Sequence, residues 1–105
     1  WEDDGLPASL WTDTAIERLF VTRNYRNDGH MAKIWLNGDG ARRIEMLAPD
    51  DQVRFVQGEI ERWRPAARGA LEFAHRQSWT TDPHYQGEKF FFCPGQVHRY
   101  FPAMA

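Results

Sequence analysis

The sequence predicts a small α+β unit, and three observations support this. The dipeptide Asp28-Gly29, which is typical of hairpin turns, separates two segments that are rich in β-branched and aromatic residues. Pro49 and Pro65 bracket a segment in which apolar residues recur every three or four positions, as in an amphipathic helix. Later segments alternate again between apolar and polar residues. The predicted element order is β-β-α-α-β-β, with an antiparallel or mixed sheet backed by helices.

The first strands flank the predicted turn at residues 24–30. Residues 16–23 (IERLFVTR) favour a strand through their β-branched and aromatic content, with a helical turn as the alternative. Residues 31–36 (MAKIWL) alternate and form the partner strand. Residues 9–14 (SLWTDT) are a candidate for a further short strand.

Two helices are predicted next. In the first, Ala41, Ile44 and Leu47 share one face. The second begins at Pro49, with Asp50 and Asp51 at its positive end, and ends before Pro65 after about three turns. Its apolar stripe consists of Val53, Phe55, Val56, Ile60 and Trp63.

The last third of the chain is predicted to return to strands. Residues 71–79 alternate, which predicts a strand with one partly polar face. Asp82-Pro83 is a turn signal. Residues 90–92 are a candidate final strand, ended by Pro94-Gly95.

The composition and net charge of the chain argue against several classes of function. The chain of 105 residues corresponds to one domain or a part of one, and 42% hydrophobic with 27% charged residues is typical of soluble globular proteins. A net charge of −2 gives no general attraction to nucleic acid or anionic lipid, and no apolar run is long enough to span a membrane. The start at Trp1 leads us to expect a processed or excised segment. The single Cys93 forms no internal disulfide and leaves the compartment open.

The side chains that are candidates for metal or nucleophilic chemistry do not form a known pattern. The histidines at 30, 75, 84 and 98 and Cys93 lack CxxC or HxxxH spacing, so we predict no metal site. Cys93 and His98 are five residues apart across a Pro-Gly turn, and a buried structural cysteine is the preferred interpretation over a catalytic pair.

The charged residues are explained by solvation and helix capping. The acidic residues at 2–4 and 50–51 lie at turns and helix ends, and the arginines 42, 43, 54, 62 and 64 are predicted to form a solvated helix face. No basic-aromatic motif of nucleic-acid binders appears, and the NGDG segment at 37–40 is not a phosphate-binding loop.

Aromatic and polar groups concentrate around Gly87, in the segment WTTDPHYQGEKFFFCPGQ at residues 79–96. Two interpretations remain open from the residues alone, namely core packing and the lining of a ligand pocket.

This segment resembles the W-x-x-D-P-x-x-x-G-x-Y/W-x-x-x-x-P-G motif of the flavin-containing amine oxidase family, which includes monoamine, polyamine and L-amino-acid oxidases. Residues 33–63 (KIWLNGDGARRIEMLAPDDQVRFVQGEIERW) are similar to the family's strand, helix start and amphipathic helix. Residues 1–20 (WEDDGLPASLWTDTAIERLF) resemble the strand that enters this region. The resemblance covers essentially the whole chain.

The resemblance implies that residues 1–105 are an incomplete segment of the substrate-binding domain, from its later part, where a mixed sheet backed by helices faces the flavin. The parts that bind FAD are then expected on other chains of the same oxidase or on missing segments, and this chain is expected to be inactive alone. Glu88 stands where covalently flavinylated members carry Cys, which implies noncovalent FAD. The other implied partner is a small amine or amino-acid substrate, with no nucleic acid and no membrane.

The resemblance also suggests site residues. Trp79 matches a tryptophan beside both flavin and substrate, and Gly87 matches a glycine that lets the backbone approach the cofactor. Lys89 departs from the family, because many members carry Tyr or Trp there. An ammonium group at that position would repel a protonated amine and hold a carboxylate, which favours an amino-acid substrate. Phe91 lines the cavity or packs beneath it, and Trp11 is a further substrate-binding candidate.

The chemistry implied by the family is oxidation of a substrate amine to an imine, followed by hydrolysis to an oxo product and ammonia, with hydrogen peroxide formed from oxygen. No catalytic residue is predicted on this chain, since the family's active-site lysine lies upstream. Two alternatives remain, a non-catalytic interaction module that packs through exposed aromatic residues and a small hydrolase that uses Cys93 or His98.

Overall fold

A computed structural model describes residues 3–85 together with Pro94, Gln96 and Arg99. The chain divides into two compact units, Trp1–Phe73 and Ala74–Ala105. The elements of the first unit are, in order, β1 (Ser9–Trp11), β2 (Arg18–Arg23), β3 (His30–Trp35), α1 (Gly38–Glu45), α2 (Pro49–Trp63) and a 3-10 turn (Pro65–Ala67). This confirms the predicted α+β class, although three strands rather than two precede the helices. None of the helices in the described residues is long and apolar enough to cross a membrane.

The three strands form an antiparallel sheet in the order β1-β2-β3. The turn between β2 and β3 is confirmed, but its left-handed residue is Asn27 (φ 59°), not Gly29. The side chains of Asn24 and Asp28 brace this turn, since Asn24 Nδ2 donates to Asp28 Oδ1 at 2.7 Å. Asn is among the few residue types that adopt this conformation at low cost.

One face of the sheet forms the hydrophobic core. Leu19 on β2, Ile60 on α2 and Ala67 are almost fully buried. Partly buried apolar side chains from β1, β3, α2 and the segment that follows pack around them, namely Leu10, Ala32, Ile34, Val56, Trp63 and Leu71. The apolar stripe predicted for the second helix therefore packs against the sheet through Val56, Ile60 and Trp63, which follows from the helical period.

The helix boundaries differ in detail from the prediction. Helix α1 begins at Gly38 and ends at Glu45, so Leu47 lies beyond it, while Ile44 is buried as expected. Helix α2 begins at Pro49 and has 15 residues, which corresponds to about four turns, not three. Near the start of α1, a Cβ atom added to Gly40 would lie 2.5 Å from the carbonyl oxygen of Ala15, so only glycine fits there.

The prediction that Arg64 belongs to a solvated face of arginines is wrong. Arg64 follows α2 and is only 1% exposed. Its Nη2 donates to the carbonyl oxygen of Pro7 at 2.6 Å and lies 3.6 Å from Asp4 Oδ1. Asp4, which was predicted to be a solvated turn residue, instead pairs with this buried cation. The contacts of Arg64 with Asp4 and Pro7 join the N-terminal segment to the end of α2.

The predicted strand at residues 71–79 is wrong, because residues 71–78 have no regular secondary structure. The carbonyl of Leu71 accepts a hydrogen bond from Gln57 Nε2 at 3.2 Å, and Leu71 is half-buried. Residues 72–77 are exposed. An alternating pattern forms a strand only where a partner strand and a buried face are present, and the described residues provide neither here. The predicted strand at residues 90–92 lies outside the described residues.

Candidate functional site

The second face of the sheet is aromatic and cationic. Successive residues of a strand point to opposite faces, so the neighbours of buried Leu19 point away from the core. The strand register places Arg18 of β2 opposite Trp11 of β1 and opposite Trp35 of β3. We call this surface the aromatic face, and its members are Trp11, Arg18, Phe20, Lys33 and Trp35.

Arg18 lies between two tryptophans on this face. Its guanidinium carbon is 3.7 Å from the centroid of the Trp11 ring and 5.4 Å from the centroid of the Trp35 ring. Both distances are within the range of cation–π attraction. Trp11 remains 68% exposed, so it presents a large aromatic surface that folding of this segment does not bury.

The positive charge of Arg18 has no ion-pair partner within the described part of the chain, and its buried Nε has no hydrogen-bond partner there. The carboxylate of its sequence neighbour Glu17 instead accepts a hydrogen bond from Asn37 Nδ2 at 2.7 Å. The Arg18 side chain is therefore positioned by the two indole rings and not by a carboxylate.

The remaining members extend the same surface. Phe20 meets Trp35 edge-to-face, with ring centroids 5.6 Å apart and an interplanar angle of 64°. Lys33 adds a second cation, with Nζ 5.9 Å from the centroid of Trp35. A surface with three aromatic rings and two cations can bind a molecule that combines an apolar body with an anionic group.

The family model for flavin containing amine oxidoreductase matches residues 1–105. The chain belongs to this family. No curated protein and no solved structure matches it. Family membership confirms the resemblance drawn from the sequence motifs, and it makes an oxidoreductase role within a flavoprotein the general function of the domain.

The site residues predicted from this amine oxidoreductase resemblance fall in different parts of the chain. Trp11 lies on the aromatic face of the first unit, and Trp79 lies in the second unit. Gly87, Lys89 and Phe91 lie outside the described residues. The substrate- and cofactor-binding roles of all five residues remain predictions.

Trp79 is held by local contacts. Its ring meets Tyr85 edge-to-face at a centroid separation of 5.1 Å, and 42% of Trp79 is exposed. The intervening turn at Asp82 is confirmed, because Asp82 Oδ1 accepts the backbone N–H of His84 at 2.8 Å. The Trp79 side chain is therefore partly exposed and held by Tyr85 on one side.

The described residues contain no group of three or more His, Cys, Asp or Glu side chains that could hold a metal ion. His30, His75 and His84 are exposed. The pair Cys93 and His98 lies outside the described residues.

Arg18 and Trp35 were not among the residues predicted from the sequence. The signal that identifies them is the register of the β2–β3 hairpin. Arg23 pairs with His30 next to the turn. Counting residues along both strands away from the turn then places Arg18 opposite Trp35. The same count shows that Arg18 and Phe20 share a face, opposite to that of Leu19.

Proposed function

We propose that the chain supplies part of the substrate-cavity wall of a larger FAD-dependent amine or L-amino-acid oxidase. The reaction would oxidise the substrate amine to an imine, which water would hydrolyse to an oxo product and ammonia, while molecular oxygen would take up the two electrons and two protons as hydrogen peroxide. One observation carries the proposal. A chain of the flavin-containing amine oxidoreductase family presents an aromatic face on the side of its sheet away from the core, on which Trp11 is exposed and Arg18 and Trp35 are half-buried.

In this proposal the aromatic face binds and orients the substrate. Trp11, Phe20 and Trp35 provide apolar contact, which excludes water and holds the reacting C–N bond in one orientation. A bound flavin would supply the redox chemistry, while the residues of this chain would hold the carbon that bears the amine in place.

The contact with the flavin is assigned to Trp79 and Gly87, and FAD is held noncovalently, mainly by other chains or segments of the same oxidase. Exposure of the Trp79 ring supports this assignment, since 42% of the residue is accessible. Glu88, which cannot form a thioether, supports noncovalent binding. The chain is then inactive without the polypeptide that binds FAD.

The proposal is tested on the protein in which this chain occurs, purified natively with any bound partner chains. We expect flavin absorbance, release of free flavin into the supernatant on acid denaturation, and hydrogen peroxide production with members of a panel of amines and L-amino acids. Intact-mass analysis of the same sample identifies the partner chains. A colourless preparation that oxidises no member of the panel would contradict the proposal.

A second candidate function is a non-catalytic interaction module, and the exposure of Trp11, Tyr25 and Tyr85 favours it. Large exposed aromatic residues are typical of protein interfaces. This function predicts a partner complex without flavin, so the same absorbance and mass measurements separate it from the oxidase.

A further inference from the structure

We infer that Asn37 is a site of spontaneous deamidation, and that a hydrogen bond from its side chain to Glu17 keeps this modification slow. Asn37 and Gly38 begin the NGDG segment at residues 37–40, which lies at the junction of β3 and α1 and has no role in the proposed oxidase chemistry. The modification concerns the chemical lifetime of the chain and is independent of the proposed function.

The reaction takes place within the Asn37-Gly38 dipeptide. The backbone nitrogen of Gly38 attacks Cγ of Asn37 and gives up its proton, so a C–N bond forms, the Cγ–Nδ2 bond breaks and ammonia leaves. Water then opens the cyclic imide. Hydrolysis of the new bond to Cγ gives aspartate, whereas hydrolysis of the bond to the main-chain carbonyl carbon gives isoaspartate. The sum is an amide plus water giving an acid plus ammonia, without a change in oxidation state.

The residue that follows distinguishes Asn37 from the other asparagines of the chain. Asn24 precedes a tyrosine and Asn27 precedes an aspartate, whereas Asn37 precedes a glycine. A glycine has no side chain that hinders the approach of its nitrogen to the asparagine side chain. Gly38 is exposed, and as the first residue of α1 its N–H has no acceptor inside the helix. The attacking nitrogen and the hydrolysing water are therefore both available at this position.

The side chain of Asn37 is held by a long-range contact. Its Nδ2 donates to Oε2 of Glu17 at 2.7 Å, across 20 positions of the sequence, and both residues are half-buried. Asn37 is also the N-cap residue of α1, but it makes no side-chain capping bond there. Hydrogen bonds to an ionised acceptor are among the stronger ones. Attack on Cγ requires rotation of the amide group towards its own backbone, and this rotation breaks the bond to Glu17.

The backbone at Asn37 provides a separate restraint. Asn37 is extended, with φ −129° and ψ 167°, and its carbonyl oxygen accepts the N–H of Ala41 at 3.2 Å. Ring closure turns the backbone out of this conformation, because the Gly38 nitrogen must reach Cγ. The close contact of Gly40 with the Ala15 carbonyl opposes such a movement at the start of α1. Loss of the bond to Glu17 therefore frees the side chain while the backbone stays in place.

Both products conflict with the native arrangement. The aspartate product places a second carboxylate beside Glu17, so a donor–acceptor contact becomes a contact between like charges. The isoaspartate product lengthens the main chain by a methylene group between β3 and α1, where Gly40 already lies against Ala15. We therefore expect modified chains to unfold at a lower urea concentration than unmodified chains.

The test compares the wild type with Glu17→Ala and Glu17→Gln, in the purified protein in which this chain occurs. Each sample is incubated in mildly alkaline buffer, and peptide mapping by mass spectrometry follows the conversion at every asparagine. Glu17→Ala should accelerate conversion at Asn37 about tenfold or more, as expected for the loss of a hydrogen bond to a charged group. Glu17→Gln keeps an acceptor oxygen and should give a smaller increase. In Glu17→Ala, Asn37 should convert faster than Asn24 and Asn27.

Ile60→Val is the control for a general loss of stability. Ile60 is buried against Leu19 and Ala67, so removal of a methyl group weakens the core without touching Asn37. This variant should leave the conversion rate at Asn37 within about twofold of the wild type, because a local opening at Asn37 does not require the core to open. Circular dichroism establishes that each variant is folded.

Three results would overturn the inference. An unchanged rate at Asn37 in Glu17→Ala would show that Glu17 does not restrain the side chain. An equal acceleration in Glu17→Ala and Ile60→Val would assign the conversion to unfolded chains. Faster conversion at Asn24 or Asn27 than at Asn37 in Glu17→Ala would show that the following glycine does not determine the site.

Discussion

Gly40 and Ala15 are in such close contact that a methyl group at position 40 would lie 2.5 Å from the Ala15 carbonyl oxygen. The obstructing atom belongs to the backbone, so it cannot rotate away. This contact fixes the start of α1 against the loop between β1 and β2.

We therefore expect Gly40→Ala to lower the free energy of unfolding by about 1–3 kcal/mol, which exceeds the gain in helix propensity. Urea denaturation of the purified protein, followed by circular dichroism, measures the change. Gly58→Ala is the matched control, because Gly58 lies within α2 and a Cβ there meets no atom within 4 Å. It should raise the free energy of unfolding by about 0.5–1 kcal/mol. Equal effects at both positions would contradict the proposed contact.

Arg64→Met should destabilise the first unit by about 2–4 kcal/mol, because it leaves the Pro7 carbonyl and Asp4 without their buried partner. Arg54→Met, also on α2, removes only an exposed pair with Asp51 and should cost less than about 1 kcal/mol. Both variants are compared by urea denaturation. Similar midpoints for the two would show that Arg64 does not hold the N-terminal segment.

Ile60→Ala should lower the free energy of unfolding by about 2–5 kcal/mol, since Ile60 is buried where α2 packs on Leu19 and Ala67. Met46→Ala serves as the surface control, because Met46 is 87% exposed, and its effect should stay within about 0.5 kcal/mol. Thermal unfolding followed by circular dichroism measures both. A loss at Ile60 no larger than that at Met46 would contradict the assignment of the core.

Trp11→Ala should separate function from stability. Because Trp11 is 68% exposed, the substitution should change the free energy of unfolding by less than about 1 kcal/mol. It also removes both the aromatic contact and the ring beneath Arg18. We expect kcat/KM for an aromatic L-amino acid to fall about tenfold or more. A large loss of stability with unchanged kinetics would assign Trp11 to folding instead.

The elements that could be predicted from the sequence are those set by local chemistry. Asp28-Gly29 marked the hairpin, and Pro49 and Pro65 marked the limits of α2. These residues restrict the backbone whatever surrounds them. The alternation at residues 71–79 failed as a predictor, because a strand also depends on a partner elsewhere in the chain.

The candidate site was predicted only in part, for a related reason. The resemblance suggested Trp79 from the family motif and Trp11 from the matching strand, and both roles stay predictions, whereas Arg18 belongs to no motif and looks like an ordinary surface charge. Its setting between Trp11 and Trp35 arises from the pairing of three strands, which brings together residues up to 24 positions apart in the sequence. Arg64 was misassigned in the same way, since its contact with Pro7 is a long-range one.

Side chains of β2 alternate between the core and the opposite face of the sheet, and this alternation limits where substitutions disturb the fold. Leu19 anchors the fold on one side, while Arg18 and Phe20 point to the other. Substitutions at Arg18 and Phe20 would therefore alter this face of the sheet without opening a cavity in the core around Leu19.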